Sequence, residues 1–209
     1  MSLAQNPLTG QMRKSMGNFN TYVHRGQNVV SSKAFNRKDA NTDSQKAQRA
    51  SFKLIGDAWA SLGGFAESGF PVRPVKQSPY NCFMALNLPN AIDATGEVPV
   101  INYRLLQIAK GTLAVVNVNS ATLNATGLTL ECDSNIEFPY ASANDVVTLL
   151  AKSKAGALYA ARQPRGSESK CSIQLALPNL VKEDIEFVYV FVTSADGKKA
   201  SNSVFVEVN

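Results

Sequence analysis

Residues 187–208 read F-V-Y-V-F-V-T-S-A-D-G-K-K-A-S-N-S-V-F-V-E-V. Phe187–Thr193 and Val204–Val208 are apolar and strand-like. Between them Ser194–Ser203 is polar, with Asp196-Gly197 at its centre, where an antiparallel hairpin needs its turn. Working back from this hairpin, the same period-two pattern extends to Gly96. Candidate strands are Val100–Leu105, Gln107–Lys110, Leu113–Asn117, Gly127–Cys132, Val146–Ala151, Ala157–Ala161, Ser172–Leu177, Glu186–Thr193 and Ser203–Val208. Turn signals such as Asn144-Asp145 and Lys154-Ala155-Gly156 separate them. Many short strands at this spacing predict an all-β sandwich over 96–209. No cysteine pair has immunoglobulin spacing and the single tryptophan lies outside this half, so a fibronectin-type or generic immunoglobulin-like sandwich fits best.

The first 95 residues follow another pattern. Asn6-Pro7 favours a turn, because proline restricts its predecessor. Asn18 to His24 alternates weakly around Phe19 and Tyr22. Arg25-Gly26-Gln27-Asn28 reads as a hairpin turn, and Val29-Val30 as the start of a return strand. Ser31 to Ala40, with Lys33, Arg37 and Lys38, reads as an exposed loop or arm. Thr42 and Gln45 form a capping-box pair, and Phe52, Ile55, Trp59 and Leu62 recur at helical spacing, predicting a helix near 43–62 closed by Gly63-Gly64. Ser78-Pro79 supplies a cap and a first-turn proline for a second helix near 79–88. The expected organisation is therefore a basic α+β module, a β-hairpin plus two helices, over 1–95, followed by the sandwich.

At 209 residues, 44% hydrophobic and 18% charged, the chain has the composition of a folded protein. No run reaches the 18 or so apolar residues that span a bilayer, so no membrane role is expected. The N-terminus has no charged and apolar leader pattern, which predicts cytoplasmic synthesis without a signal peptide. Cys82, Cys132 and Cys171 are too widely spaced for a disulfide framework or a zinc site and are expected as buried free thiols. The net charge of +5 is uneven: residues 1–95 hold eleven basic and five acidic residues, and 96–209 hold ten and eleven.

The motifs N-P-L-T-G (6–10), S-M-G-N (15–18), R-G-Q-N-V-V-S-S-K (25–33), N-T-D-S-Q-K-A-Q-R-A-S-F (41–52) and F-V-T-S-A-D-G-K-K-A-S-N-S-V-F-V (191–206) resemble a family of bacterial and phage proteins known by a domain-of-unknown-function label. The resemblance spans nearly the whole chain. It implies a basic, glycine-rich N-terminal module followed by an immunoglobulin-like β-domain, and it brings no catalytic residues with it. Met12-Arg13-Lys14 departs from the family pattern by placing charge where small residues are usual.

Chemistry is sparse. His24 is the single histidine, so mechanisms needing two are excluded, and next to a turn it reads as a surface strand residue. No G-x-S-x-G or G-x-x-x-x-G-K-[ST] motif is present. Glu183, Asp184 and Glu186 read as a solvated loop before a strand. No catalytic, cofactor-binding or metal-binding residue is expected, and the protein is expected not to be an enzyme. The candidate interaction surface is Arg13, Lys14, Phe19, Tyr22, Arg25, Lys33, Arg37, Lys38, Lys46 and Arg49. Such a surface suits docking to other protein subunits, self-association included. It also suits a nucleic-acid backbone with aromatics for stacking, although Lys46, Arg49 and Lys53 equally describe the polar face of an amphipathic helix. The leading expectation is a structural or assembly protein of a phage or prophage virion, capsid- or tail-associated. The alternative is a nucleic-acid-binding accessory protein.

Overall fold

A computed structural model describes residues 2–3, 13–35, 39–96, 98–124, 126–177 and 180–208. The protein is mostly β-sheet with three helices, and the chain divides into two compact units, residues 1–42 and 43–209. The expected turn at Asn6-Pro7 and the arm residues Arg37 and Lys38 lie outside the described residues.

In the first unit, β1 (Ser2–Leu3), β2 (Lys14–Met16), β3 (Phe19–His24) and β4 (Gln27–Ser32) form an antiparallel sheet in the order β1-β4-β3-β2. The hairpin expected around Gly26 is present. Arg25 and Gly26 both have positive φ, 51° and 81°, the combination a two-residue type I′ turn requires. His24 pairs with Gln27 at its base, so pairing starts two residues before the expected Val29. This sheet has almost no interior. Among the described residues of the unit, Val29 is the single buried hydrophobic side chain.

The second unit opens with α1 (Asp43–Leu62), α2 (Gly64–Ser68) and α3 (Pro79–Asn87). Ser78 caps α3, its Oγ accepting from the Asn81 amide at 3.1 Å. A small pair, β5 (Ile92–Asp93) and β6 (Val100–Ile101), follows. Then come β7 (Asn117–Asn124), β8 (Gly127–Asp133), β9 (Val146–Ser153), β10 (Leu158–Pro164), β11 (Lys170–Ala176), β12 (Ile185–Thr193) and β13 (Val204–Phe205). They make a three-stranded sheet, β11-β8-β7, and a four-stranded sheet, β10-β9-β12-β13, both antiparallel. The hairpin read from residues 187–208 is realised, with Tyr189 opposite Phe205 and Val190 opposite Val204.

Two cores share the four-stranded sheet. On one face Val147, Leu149, Val188, Val190 and Val192 meet Leu128, Leu130, Ile173 and Leu175 of the three-stranded sheet. On the other face Leu150, Phe187, Tyr189 and Phe191 meet Ile55, Leu62, Phe83 and Met84 of the helices. Successive residues of a strand point to opposite faces, so β12 sends its valines to the partner sheet and its aromatics to the helices. Each fully buried side chain of this kind contributes roughly 1.5–3 kcal/mol.

This arrangement differs from the expected division at residue 95. Ile55 and Leu62 of α1 and Phe83 and Met84 of α3 are buried on the outer face of the four-stranded sheet, so both helices belong to the β-unit and not to a module with the N-terminal hairpin, while Phe52 of the expected α1 stripe stays 45% exposed. The strand expected at Gln107–Lys110 is also absent. Its backbone is satisfied from elsewhere: Gln107 N–H donates to Asn87 Oδ1 (2.8 Å), Ile108 N–H to Ser203 Oγ (3.0 Å) and Lys110 N–H to the Gly69 carbonyl (3.0 Å). Groups bonded in this way have no call for a ladder partner.

Candidate interaction surface

The candidate residues divide between the two units. Arg13, Lys14, Phe19, Tyr22, Arg25 and Lys33 are exposed in the first, whereas Lys46 and Arg49 are exposed on α1 in the second. Arg37 and Lys38 lie outside the described residues. The charge divides even more sharply. Residues 1–42 hold six basic residues and one acidic, a balance of +5, and 43–209 hold fifteen of each. The whole net charge of the chain therefore belongs to the first unit. Lys46 adds little, because its Nζ lies 3.1 Å from Asp43 Oδ1 in an exposed pair.

Register fixes which side chains share a face. Met16 lies opposite Phe19, and Lys14 opposite Thr21, so Met16, Lys14 and Phe19 lie on one side of the first sheet. Tyr22, opposite Val29, lies on the other. Phe19 and Tyr22, three residues apart, cannot share one face of a strand. Both remain half-exposed, at 51% and 43%, with Met16 at 64% and Phe35 at 65%. The Thr21 hydroxyl donates to the Lys14 carbonyl at 2.6 Å, and the Lys33 amide to the Asn18 carbonyl at 2.7 Å. Lys14 sits at φ 112°, backbone that favours glycine. Arg25, at the tip of the β3–β4 turn, projects from the same sheet.

The second unit contains polar groups whose association the sequence did not reveal. Glu186 is not a solvated loop residue. It lies in β12, where Oε1 accepts a short hydrogen bond from the Tyr103 hydroxyl and Oε2 lies 2.8 Å from Lys152 Nζ. Burial, and then the bond to Glu186, push the Tyr103 phenol well above the ordinary range. The Tyr189 hydroxyl donates to the Tyr103 carbonyl at 2.5 Å, and burial raises its pKa likewise. Glu183 and Asp184 are exposed as expected, in the short 3-10 turn Lys182–Asp184. Cys132 and Cys171 lie directly opposite each other on β8 and β11 as free thiols, and Cys82 is free on α3; Cys132 is buried as expected, whereas Cys82 and Cys171 are only partly buried. The hydrogen bond with Cys171, and then burial, push the Cys132 thiol up.

At one end of the paired sheets Arg165 is completely buried. It donates from Nη1 to the Ser134 carbonyl (3.0 Å) and from Nη2 to the Ala114 carbonyl, with Asp145 Oδ2 3.8 Å from Nε. This guanidinium joins the segments before β7, after β8 and before β9. Its role is structural: a buried ion pair enclosed among loops. His24 ends β3 and is exposed. Among the described residues no cluster of three or more His, Cys, Asp or Glu side chains is placed to hold a metal. No helix among them is long and apolar enough to cross a membrane.

The model of a family of unknown function (DUF6266) matches residues 11–207. No curated protein matches the chain, and no solved structure does.

Proposed function

The chain belongs to that family of unknown function, and from this premise we propose that it is a non-enzymatic structural or assembly protein acting through protein–protein contacts. One observation carries the reading. The first unit is a four-stranded sheet with one buried hydrophobic side chain among those described, yet it exposes Met16, Phe19, Tyr22 and Phe35 and bears the entire net charge. A sheet gains independent stability from burying an apolar face, and a sheet this bare gains it from a partner subunit. The short edge strand β2 offers backbone groups for pairing as well. The virion setting, capsid- or tail-associated, extends this proposal and rests on the motif resemblance alone.

The second unit suits a scaffold for such contacts. Its chain crosses from one sheet to the other between β8 and β9, between β10 and β11, and between β11 and β12. That order supports the immunoglobulin-like, fibronectin-type reading of the β-domain. Loops and edges of such sandwiches are common contact sites.

The experiment is the solution mass of the intact chain beside residues 43–209, which contain both cores. The intact chain is expected to self-associate and the shorter one to be a folded monomer. Within the full chain, Met16→Asp with Phe19→Asp is expected to dissolve the assembly while leaving the melting of the second unit unchanged. An intact chain that stays monomeric at high micromolar concentration, with its first unit protected from proteolysis, refutes self-assembly.

The charge balance of +5 in 42 residues supports a second reading, nucleic-acid binding. The placement of Phe19 and Tyr22 on opposite faces weighs against a single stacking platform. This reading requires affinity for a single-stranded 30-mer that falls steeply with salt. Binding that ignores salt, or none, removes it.

A further inference from the structure

The second unit contains a cavity that the assembly reading does not use. Its volume is about 460 Å³, within the range of small-molecule sites. Phe70, Val72 and Leu86 contribute apolar wall, and Gln77, Thr112 and Lys110 are its polar points. It lies between α3 and the loop that follows α2.

The walls are preformed. The Arg73 guanidinium clasps the loop from within, donating from Nε to the Gln77 carbonyl (3.0 Å) and from Nη1 to the Phe70 carbonyl (3.1 Å). Opposite, the Lys110 amide bonds the Gly69 carbonyl (3.0 Å) and the Gly111 amide bonds Asn202 Oδ1 (3.3 Å), fixing the strand of wall that carries Lys110. Phe70 packs edge-on against Phe83 at 6.2 Å, which in turn packs on Trp59 at 5.3 Å. A site whose walls are already ordered loses little entropy on binding.

Charge narrows the ligand. Among the described residues no carboxylate lines the cavity. Lys110 is exposed at its edge and takes part in none of the ion pairs among the described residues. We propose that this cavity binds a small amphipathic carboxylate. Its apolar chain or ring lies against Phe70, Val72 and Leu86, and its carboxylate meets the Lys110 ammonium at the rim. A cation of the same shape meets repulsion there, and a neutral analogue forgoes the ion pair.

The test uses the intact protein and decanoate as probe, by calorimetry, with decanol and decylammonium as the neutral and cationic analogues. Decanoate is expected to bind saturably at one site, more tightly than decanol, and decylammonium most weakly. Lys110→Gln is expected to weaken decanoate by roughly two- to fivefold, the scale of one exposed ion pair, and to leave decanol unchanged. Ala85 lines the cavity from an exposed helix position, so Ala85→Trp is expected to fill it and abolish binding without lowering the melting temperature. Occupancy is also expected to slow alkylation of Cys82, which lines the same cavity. Decanoate bound equally well by Ala85→Trp overturns the site. Affinity that ignores Lys110→Gln, or a preference for decanol or decylammonium, overturns the carboxylate.

Discussion

Replacing Arg165 by methionine tests what closes one end of the paired sheets. The side chain is fully buried, so methionine of similar length occupies the space without a large cavity. Two charge-assisted hydrogen bonds disappear, to the carbonyls of Ser134 and Ala114. Each is worth about 1.5–3 kcal/mol. Asp145, 5% exposed, keeps the Ser142 amide (2.9 Å) but loses its cation. Against this, the substitution removes a buried guanidinium whose Nε has no hydrogen-bond partner and whose pKa is lowered chiefly by burial. That relief is worth about 1–3 kcal/mol. Removing one member of a buried pair costs about 3–5 kcal/mol, and with the relief counted the expected loss is about 2 kcal/mol. In a protein of this size that lowers the melting temperature by roughly 4–8 °C. Urea unfolding followed by fluorescence of Trp59, which lies in the same unit, reads it as a lower midpoint at unchanged slope. Adding Asp145→Asn to Arg165→Met is expected to restore part of the loss, because the stranded carboxylate is then gone. A loss below about 1 kcal/mol refutes the reasoning, since the three joined loops would then be held by packing alone.

Other substitutions probe the remaining elements. A Cβ added at Gly111 meets the Ala200 carbonyl oxygen at 1.9 Å, a backbone contact that cannot yield, so Gly111→Ala is expected to destabilise the second unit by more than about 2 kcal/mol in the same urea assay. Lys14→Gly is expected to stabilise the first sheet by about 1 kcal/mol by relieving φ 112°, measured as slower amide exchange in β3. Tyr103 and Tyr189 have raised pKa values, so their contribution is fully present below the ordinary phenol pKa of about 10 and is lost as pH rises beyond it. Stability should fall with alkaline pH, and Tyr103→Phe should flatten that slope; an unchanged slope contradicts the assignment.

Local signals in the chain predicted local structure well. Gly26 between polar neighbours announced a hairpin turn, and Ser78-Pro79 announced α3, because turn and cap chemistry act within three or four residues. By contrast β7 was expected at Leu113–Asn117, whereas the strand runs Asn117–Asn124. Its inward side is built from Ala121 with the half-buried Val118 and Leu123, too weak an alternation to read without its partner β8. The charge that the sequence assigned to the first 95 residues is confined to the first 42, since the helices that follow carry a balanced set of charges in another unit.

The strongest period-two stretch shows the division between the two sources most plainly. In F-V-Y-V-F-V (187–192) the alternation of aromatic and valine was visible, and so were the strand and the hairpin it begins. Nothing in the stretch says that both faces are buried, valines under one sheet and aromatics under helices more than a hundred residues earlier. Sequence by itself determined the β-rich class, the hairpins, the two longer helices and the basic N-terminal segment, since those follow from backbone preferences and spacing along the chain. Tertiary structure alone decided the unit boundary, the Tyr103–Glu186–Lys152 network, the Arg165 clasp, the Cys132–Cys171 juxtaposition and the cavity beside α3. Each of these depends on segments 20 to more than 80 residues apart meeting across a shared core, and their affinity is hydrophobic, a non-directional attraction that leaves no motif in the chain.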